Sequence, residues 1–211
     1  MKIHDLPYIM GWADKLLIKK LHKYIADFGK FDNRETAKIF TEILAKNTRY
    51  ITDEPSQTHI IACAYIMATY QQLRLNGESQ QQAITKLTWA FKQPGRFMVT
   101  WGMRLWLWFS RDVKAGIKLE NIRKEKSYGE QFKFSAEIDE LSYISVVHIC
   151  AYHEFFKRNL CPELTAIFCD WDVLWTDEIE KQNCGVRFER PCTLGTGGDC
   201  CRFEFYFDED D

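Results

Sequence analysis

Gly185–Phe207 reads GVRFERPCTLGTGGDCCRFEFYF, and its pattern changes twice within one short stretch. Val186 and Phe188 alternate with Arg187 and Glu189, which is the two-residue period of a half-buried strand. Gly195-Thr196-Gly197-Gly198-Asp199 then supplies turn residues. Cys201, Phe203, Phe205 and Phe207 alternate with Arg202, Glu204 and Tyr206, so the four apolar side chains share one face. Two alternating runs on either side of a Gly-rich turn predict an antiparallel hairpin.

Upstream, Phe132–Ile138 also alternates, and Ser142–Val147 is β-branched and apolar, which adds two strands. Ala151–Arg158 and Pro162–Trp175 read as helices. The first half is helical throughout. Leu16, Leu17, Leu21, Tyr24, Ile25 and Phe28 form a stripe within Ala13–Gly29, with Gly29 as the stop. Asp32 with Glu35 resembles a capping box for the next helix. Ser56–Leu75 is the third helix, ended by Asn76-Gly77. Ser79 caps a fourth that runs to Phe91 and stops before Pro94, and Phe97 to about Val113 is the fifth. The expectation is an α+β fold, a helical N-terminal layer packed on a small antiparallel sheet in the C-terminal half. One domain is expected over residues 1–211, with a helical part (1–120) and an α+β part (121–207).

Composition narrows the function. A net charge of −2 gives no basic surface for nucleic acid, and Lys19, Lys20, Lys23, Arg123, Lys124 and Lys126 read as solvated local clusters. Phe97–Phe109 is apolar and aromatic, but it is shorter than the roughly 20 residues of a membrane span and Arg104 interrupts it. A buried helix or pocket wall is expected there, with no membrane partner. Met1–Gly11 lacks the apolar core of a secretory signal, so a cytoplasmic location is expected. The acidic end Asp208–Asp211 reads as a frayed terminus. Eight cysteines in such a chain are not by default a disulfide framework. Seven of them lie after residue 149, and that concentration points to packing, metal or reactive thiols.

The residues that could carry chemistry cluster there. Cys169 and Asp172 are three apart on a helix and share a face. A carboxylate can act as a general base, and a thiolate can attack if its pKa is depressed. His153, counted as one helical turn from Cys150, is the candidate imidazole base. Arg190 suits two-point binding of a carboxylate. Each has a plainer reading: Cys150, Cys169 and Cys201 as small buried hydrophobes, Tyr152 as a core aromatic, Asp172 as a capping or pairing carboxylate, and Arg190 as a member of a cross-strand ion pair. His148, Cys150, His153, Cys161 and Cys169 invite a metal, but their spacings lack the short pairs of structural zinc sites, so no metal and no cofactor are expected. The glycines of residues 195–198 have no helix after them, which argues against a phosphate cradle.

The motifs fall in a recognisable order. Cys150 and Tyr152, Pro162-Glu163-Leu164, Phe168, Cys169 and Asp172, Phe188 and Arg190, and Thr193–Phe205 together resemble the L-2-amino-thiazoline-4-carboxylic acid hydrolase family. Gly77, Ser79 and Ala83 resemble that family's upstream helix-turn-helix. The resemblance implies hydrolysis of a small cyclic isothiourea, with ring opening at the carbon–sulfur bond to give an N-carbamoyl cysteine. On this reading Cys169, Asp172 and His153 are catalytic, and Cys150, Tyr152, Arg190 and Cys201 bind the small-molecule substrate. A family member acting on a related ring in biosynthesis is an equal implication. The Gly-rich turn with Cys201-Arg202-Phe203-Glu204-Phe205 also resembles the end of 4-vinyl reductase-type sensor domains, which implies a small-ligand or zinc-binding module instead.

Overall fold

A computed structural model describes residues 11–28 and 32–208. The expected stop at Gly29, the reading of the first ten residues and most of the acidic end fall outside them. Seven α-helices and four strands follow in order: α1 (Trp12–Ala26), α2 (Asn33–Asn47), α3 (Glu54–Leu75), α4 (Gln80–Phe109), α5 (Val113–Ser127), β1 (Lys133–Ile138), β2 (Ser142–Ile149), α6 (Ala151–Arg158), α7 (Thr165–Gln182), β3 (Val186–Glu189) and β4 (Cys201–Phe207). The fold is α+β, with the sheet confined to the C-terminal half.

The helix starts follow the capping signals. Asp32 Oδ1 accepts from the N–H groups of Arg34 and Glu35. Asp53 and Ser56 form a reciprocal box at α3, and Ser79 and Gln82 form another at α4. Helix α3 is the axis of the helical layer. Ile60, Ile61, Ala64, Tyr65 and Ala68 are all buried, because α1, α2, α4 and α6 each pack against it.

The fourth and fifth expected helices are one helix. Helix α4 runs for 30 residues straight through Pro94. Proline forfeits one backbone hydrogen bond and crowds the preceding turn. Packing on α7 offsets that cost here. Phe91 sits against Phe168 (ring centroids 4.6 Å apart) and Trp171 (5.8 Å), and Gly95 lets the Trp171 ring lie on the helix backbone. The aromatic run that follows is not a buried helix. Met103, Trp106 and Leu107 turn inward, whereas Phe97 and Trp108 are 73% and 78% exposed. Among the described residues no helix is long and apolar enough to cross a membrane.

Helix α5 was not expected from its charge-rich sequence. Asp112 Oδ1 caps it by accepting from Ala115 N–H at 2.8 Å, and only Ile117 is buried. Its C-terminal end is tied to α3: Glu130 N–H donates to Asp53 Oδ2 at 2.7 Å.

The sheet is antiparallel, in the order β1-β2-β4-β3. The expected hairpin forms, with Phe188 opposite Phe205 and Val186 opposite Phe207. Its connection folds over the N-terminal half of α7, through a short 3-10 turn at Leu194–Thr196.

Two glycines of α4 separate by this packing. Gly95→Val is expected to destabilise the protein by about 1–3 kcal/mol, because the new side chain overlaps Trp171. A Cβ at Gly102 meets nothing within 4 Å, so Gly102→Ala is expected to stabilise by about 1 kcal/mol through helix propensity alone. Urea unfolding midpoints check both; equal effects at the two positions would contradict the packing described.

Candidate functional site

Helices α4, α5 and α7 and the inner face of the sheet enclose a cavity of about 530 Å³. Each helix contributes by its own periodicity. From α7 come Thr165, Phe168, Cys169, Asp172 and Trp175; from α5, Lys124 and Glu125, with Tyr128 just past its end; from α4, Phe91, Met98, Val99, Gly102 and Met103. Cys150, Thr193 and Cys201 are buried at the bottom, while Met98, Gly102 and Glu120 are exposed at the rim.

The structure brings together Cys150, Tyr152, Cys169, Asp172, Arg190 and Cys201, all on the wall of this cavity. Arg190 lies just past the end of β3 and reaches α7. Its Nη1 donates to the Cys169 carbonyl at 2.8 Å and lies 3.6 Å from Asp172 Oδ2. The guanidinium carries five N–H groups, so most of its donor capacity is not used by that one bond. The Asp172 and Arg190 side chains are 24% and 19% exposed, and Asp172 faces the cavity.

His153 is not brought to the cavity. Cys150 is the N-cap of α6, with extended backbone (φ −115°, ψ 118°), so helical spacing does not carry from it to His153. The His153 ring instead stands behind Thr165, with Nδ1 3.4 Å from Thr165 Oγ1, and burial lowers its pKa.

Three groups escaped the sequence reading. The first is His59. Its Nε2 lies 3.1 Å from the Tyr128 carbonyl, which can only accept, so the ring proton is on Nε2. Its Nδ1 therefore accepts from the Tyr152 hydroxyl at 3.0 Å, and burial, lowering the histidine pKa, favours that neutral form. Tyr152 is thereby oriented on the cavity wall. The second is Glu125, whose Oε1 accepts from Tyr143 Oη at 2.8 Å and Ser145 Oγ at 2.6 Å. The third is Lys124, expected to be solvated but placed on the cavity wall, with Nζ 4.5 Å from the Trp175 ring centroid and a pKa lowered by burial. Lys124 and Glu125 sit on the helix that the sequence did not show, and His59 is far from any other candidate in the chain.

Protonation follows from burial. The Asp172 carboxyl is pushed up to about 6 by desolvation, although Arg190, a hydrogen bond from Trp175 and Lys124 all favour its charged form. The thiols go the same way. Burial raises Cys150 to about 12 and Cys201 to about 11, and it raises Cys169, with Asp172 adding to the effect. Arg190, Thr193 and the Gly195 N–H only partly oppose this at Cys169. A Cβ at Gly195 would lie 2.9 Å from Cys169 Sγ, so glycine there leaves the sulfur its space. At neutral pH the cavity thus presents neutral thiols beside a carboxylate that is largely ionised and weakly basic. Among the described residues no group of three or more His, Cys, Asp or Glu side chains is placed to hold a metal ion.

Residues 57–205 match the family described as L-2-amino-thiazoline-4-carboxylic acid hydrolase. Comparison with curated proteins and with solved structures returned no match.

The raised Asp172 pKa has a signed consequence for stability. The folded state holds the proton more tightly than the unfolded chain, so this group's contribution is fully present below about pH 4 and is lost as pH rises through about 6. Asp172→Asn removes the titration. Its stability relative to the native sequence is expected to rise by about 2–3 kcal/mol between pH 4 and pH 7. Urea denaturation at the two pH values checks this, and a pH-independent difference would contradict it.

Proposed function

The chain belongs to the L-2-amino-thiazoline-4-carboxylic acid hydrolase family, and on that premise we propose that it opens a small cyclic isothiourea with water at this cavity. The observation that carries the reading is the convergence of Asp172, Cys169 and Arg190 on one hollow, with a carboxyl poised near neutral pH.

The ring carbon between sulfur and nitrogens is electrophilic. Asp172 takes a proton from a water molecule as its oxygen bonds to that carbon; a base with a pKa near the working pH serves best. The carbon–sulfur bond then breaks, and the departing sulfur takes a proton. Cys169 is the donor, because burial keeps it a neutral thiol rather than a nucleophilic thiolate. The proton held by Asp172 returns to Cys169, so the protein is unchanged and one water has been added to the ring. Arg190 holds the substrate carboxylate through its planar fork. Tyr152, oriented by His59, and the Cys150 and Cys201 thiols shape the floor. His153 has no place on the wall, and its role here is to support Thr165.

The test incubates purified protein with 2-amino-thiazoline-4-carboxylate and measures new free thiol. Activity is expected to rise between pH 5 and 7, with a midpoint near 6. Asp172→Asn is expected to lower kcat by roughly 100-fold or more. Cys169→Ala is expected to lower it less, since solvent can protonate a departing thiolate. Absence of thiol release from folded protein would overturn the substrate, and near-full activity in both variants would overturn the site.

A further inference from the structure

We infer that the substrate extends beyond the reacting ring as a bulky apolar group, seated along α4 with Gly102 as the opening through which it passes. The inference rests on the hydrolase reading above and deepens it.

Gly102 has no structural reason to be glycine. Inside a helix, two turns before its C-terminal end, glycine costs about 1 kcal/mol relative to alanine. Two other helical glycines have evident causes. A side chain at Gly95 would overlap Trp171, and a Cβ at Gly116 would lie 2.6 Å from Trp106 Cζ2. At Gly102 a Cβ meets nothing within 4 Å. Yet Gly102 lines the cavity and is exposed, so it lies where the cavity opens. The missing side chain leaves room that no part of the chain fills.

Volume and chemistry agree with an extended ligand. A space of about 530 Å³ lies within the roughly 300–1,000 Å³ of pockets that enclose drug-sized ligands. A five-membered ring with one amino and one carboxylate group has only about nine heavy atoms, which is smaller than that class. The charged groups suited to that ring, Asp172 and Arg190, belong to α7 and the end of β3. The α4 side offers Phe91, Met98, Val99 and Met103, with Trp171 opposite, and no charged side chain. Such a wall gains by covering apolar surface and gains nothing from a small polar ring. Met98 stands one turn before Gly102 and is 74% exposed, an apolar flank at the same opening.

Calorimetric titration tests this without requiring turnover. The probes are 2-amino-thiazole-4-carboxylate, which has an aromatic ring that resists opening, and its 5-phenyl and N-benzyl derivatives. At least one extended probe is expected to bind tenfold or more tightly than the parent ring. Gly102→Leu places a side chain in the opening while favouring the helix, so the variant folds. It is expected to collapse that affinity ratio to below about twofold. Equal affinity for all three probes, or an undiminished ratio in Gly102→Leu, would overturn the inference and leave the hydrolase reading standing. Binding of none of them, by protein that retains its native helix content, would overturn both.

Discussion

A mostly buried carboxylate beside a guanidinium is the constraint on which the site depends. Asp172 projects from α7 into the cavity, and Arg190 reaches it from the end of β3 while donating to the carbonyl of Cys169. That one side chain joins the sheet to the helix and sets the local field. Desolvation raises the carboxyl's pKa, and the nearby guanidinium, with Trp175 and Lys124, opposes that rise. Their balance puts the group near 6. The neighbouring thiols feel the same burial, which raises pKa values that already lie above neutrality, so they remain neutral.

The scaffold exists to hold α7 in that position. Helix α4 crosses α7 along its length, and the rings of Phe91, Phe168 and Trp171 fill the contact. The hairpin connection closes over α7 from the other side, with Leu194 N–H donating to Cys201 Sγ at 3.2 Å and Gly195 against Cys169. The third wall, α5, has one buried side chain of its own, Ile117, and rests on the Trp106 ring at Gly116; beyond its C-terminal end Asp53 binds the Glu130 N–H and His59 the Tyr128 carbonyl. The cavity therefore has two firmly packed sides and one lightly held side.

Much of this was readable in the sequence, for physical reasons that also explain the misses. Alternation in Gly185–Phe207 specified the hairpin, because a two-residue period with one buried face admits a single register. Spacing along α7 placed Cys169 beside Asp172, because both lie within one continuous helix. The same logic failed for His153, since Cys150 lies just outside α6 and has strand-like backbone. It failed at Pro94 because a tertiary contact, the Trp171 ring against Gly95, outweighs a local rule. Helix α5 escaped notice because its stability owes little to an apolar stripe, and Lys124 and Glu125 escaped with it. His59 acts through Tyr152 and the Tyr128 carbonyl, partners 93 and 69 residues away, and no local pattern reports such contacts.

The central claim is that Asp172 titrates near neutrality inside the cavity. Carbon-13 NMR of the Asp172 side-chain carboxyl, assigned by comparison with Asp172→Asn, measures this directly. The account requires a midpoint of about 6. A midpoint at the ordinary value of 3.8 would mean that water reaches the carboxylate freely, and the chemistry assigned to it would fail.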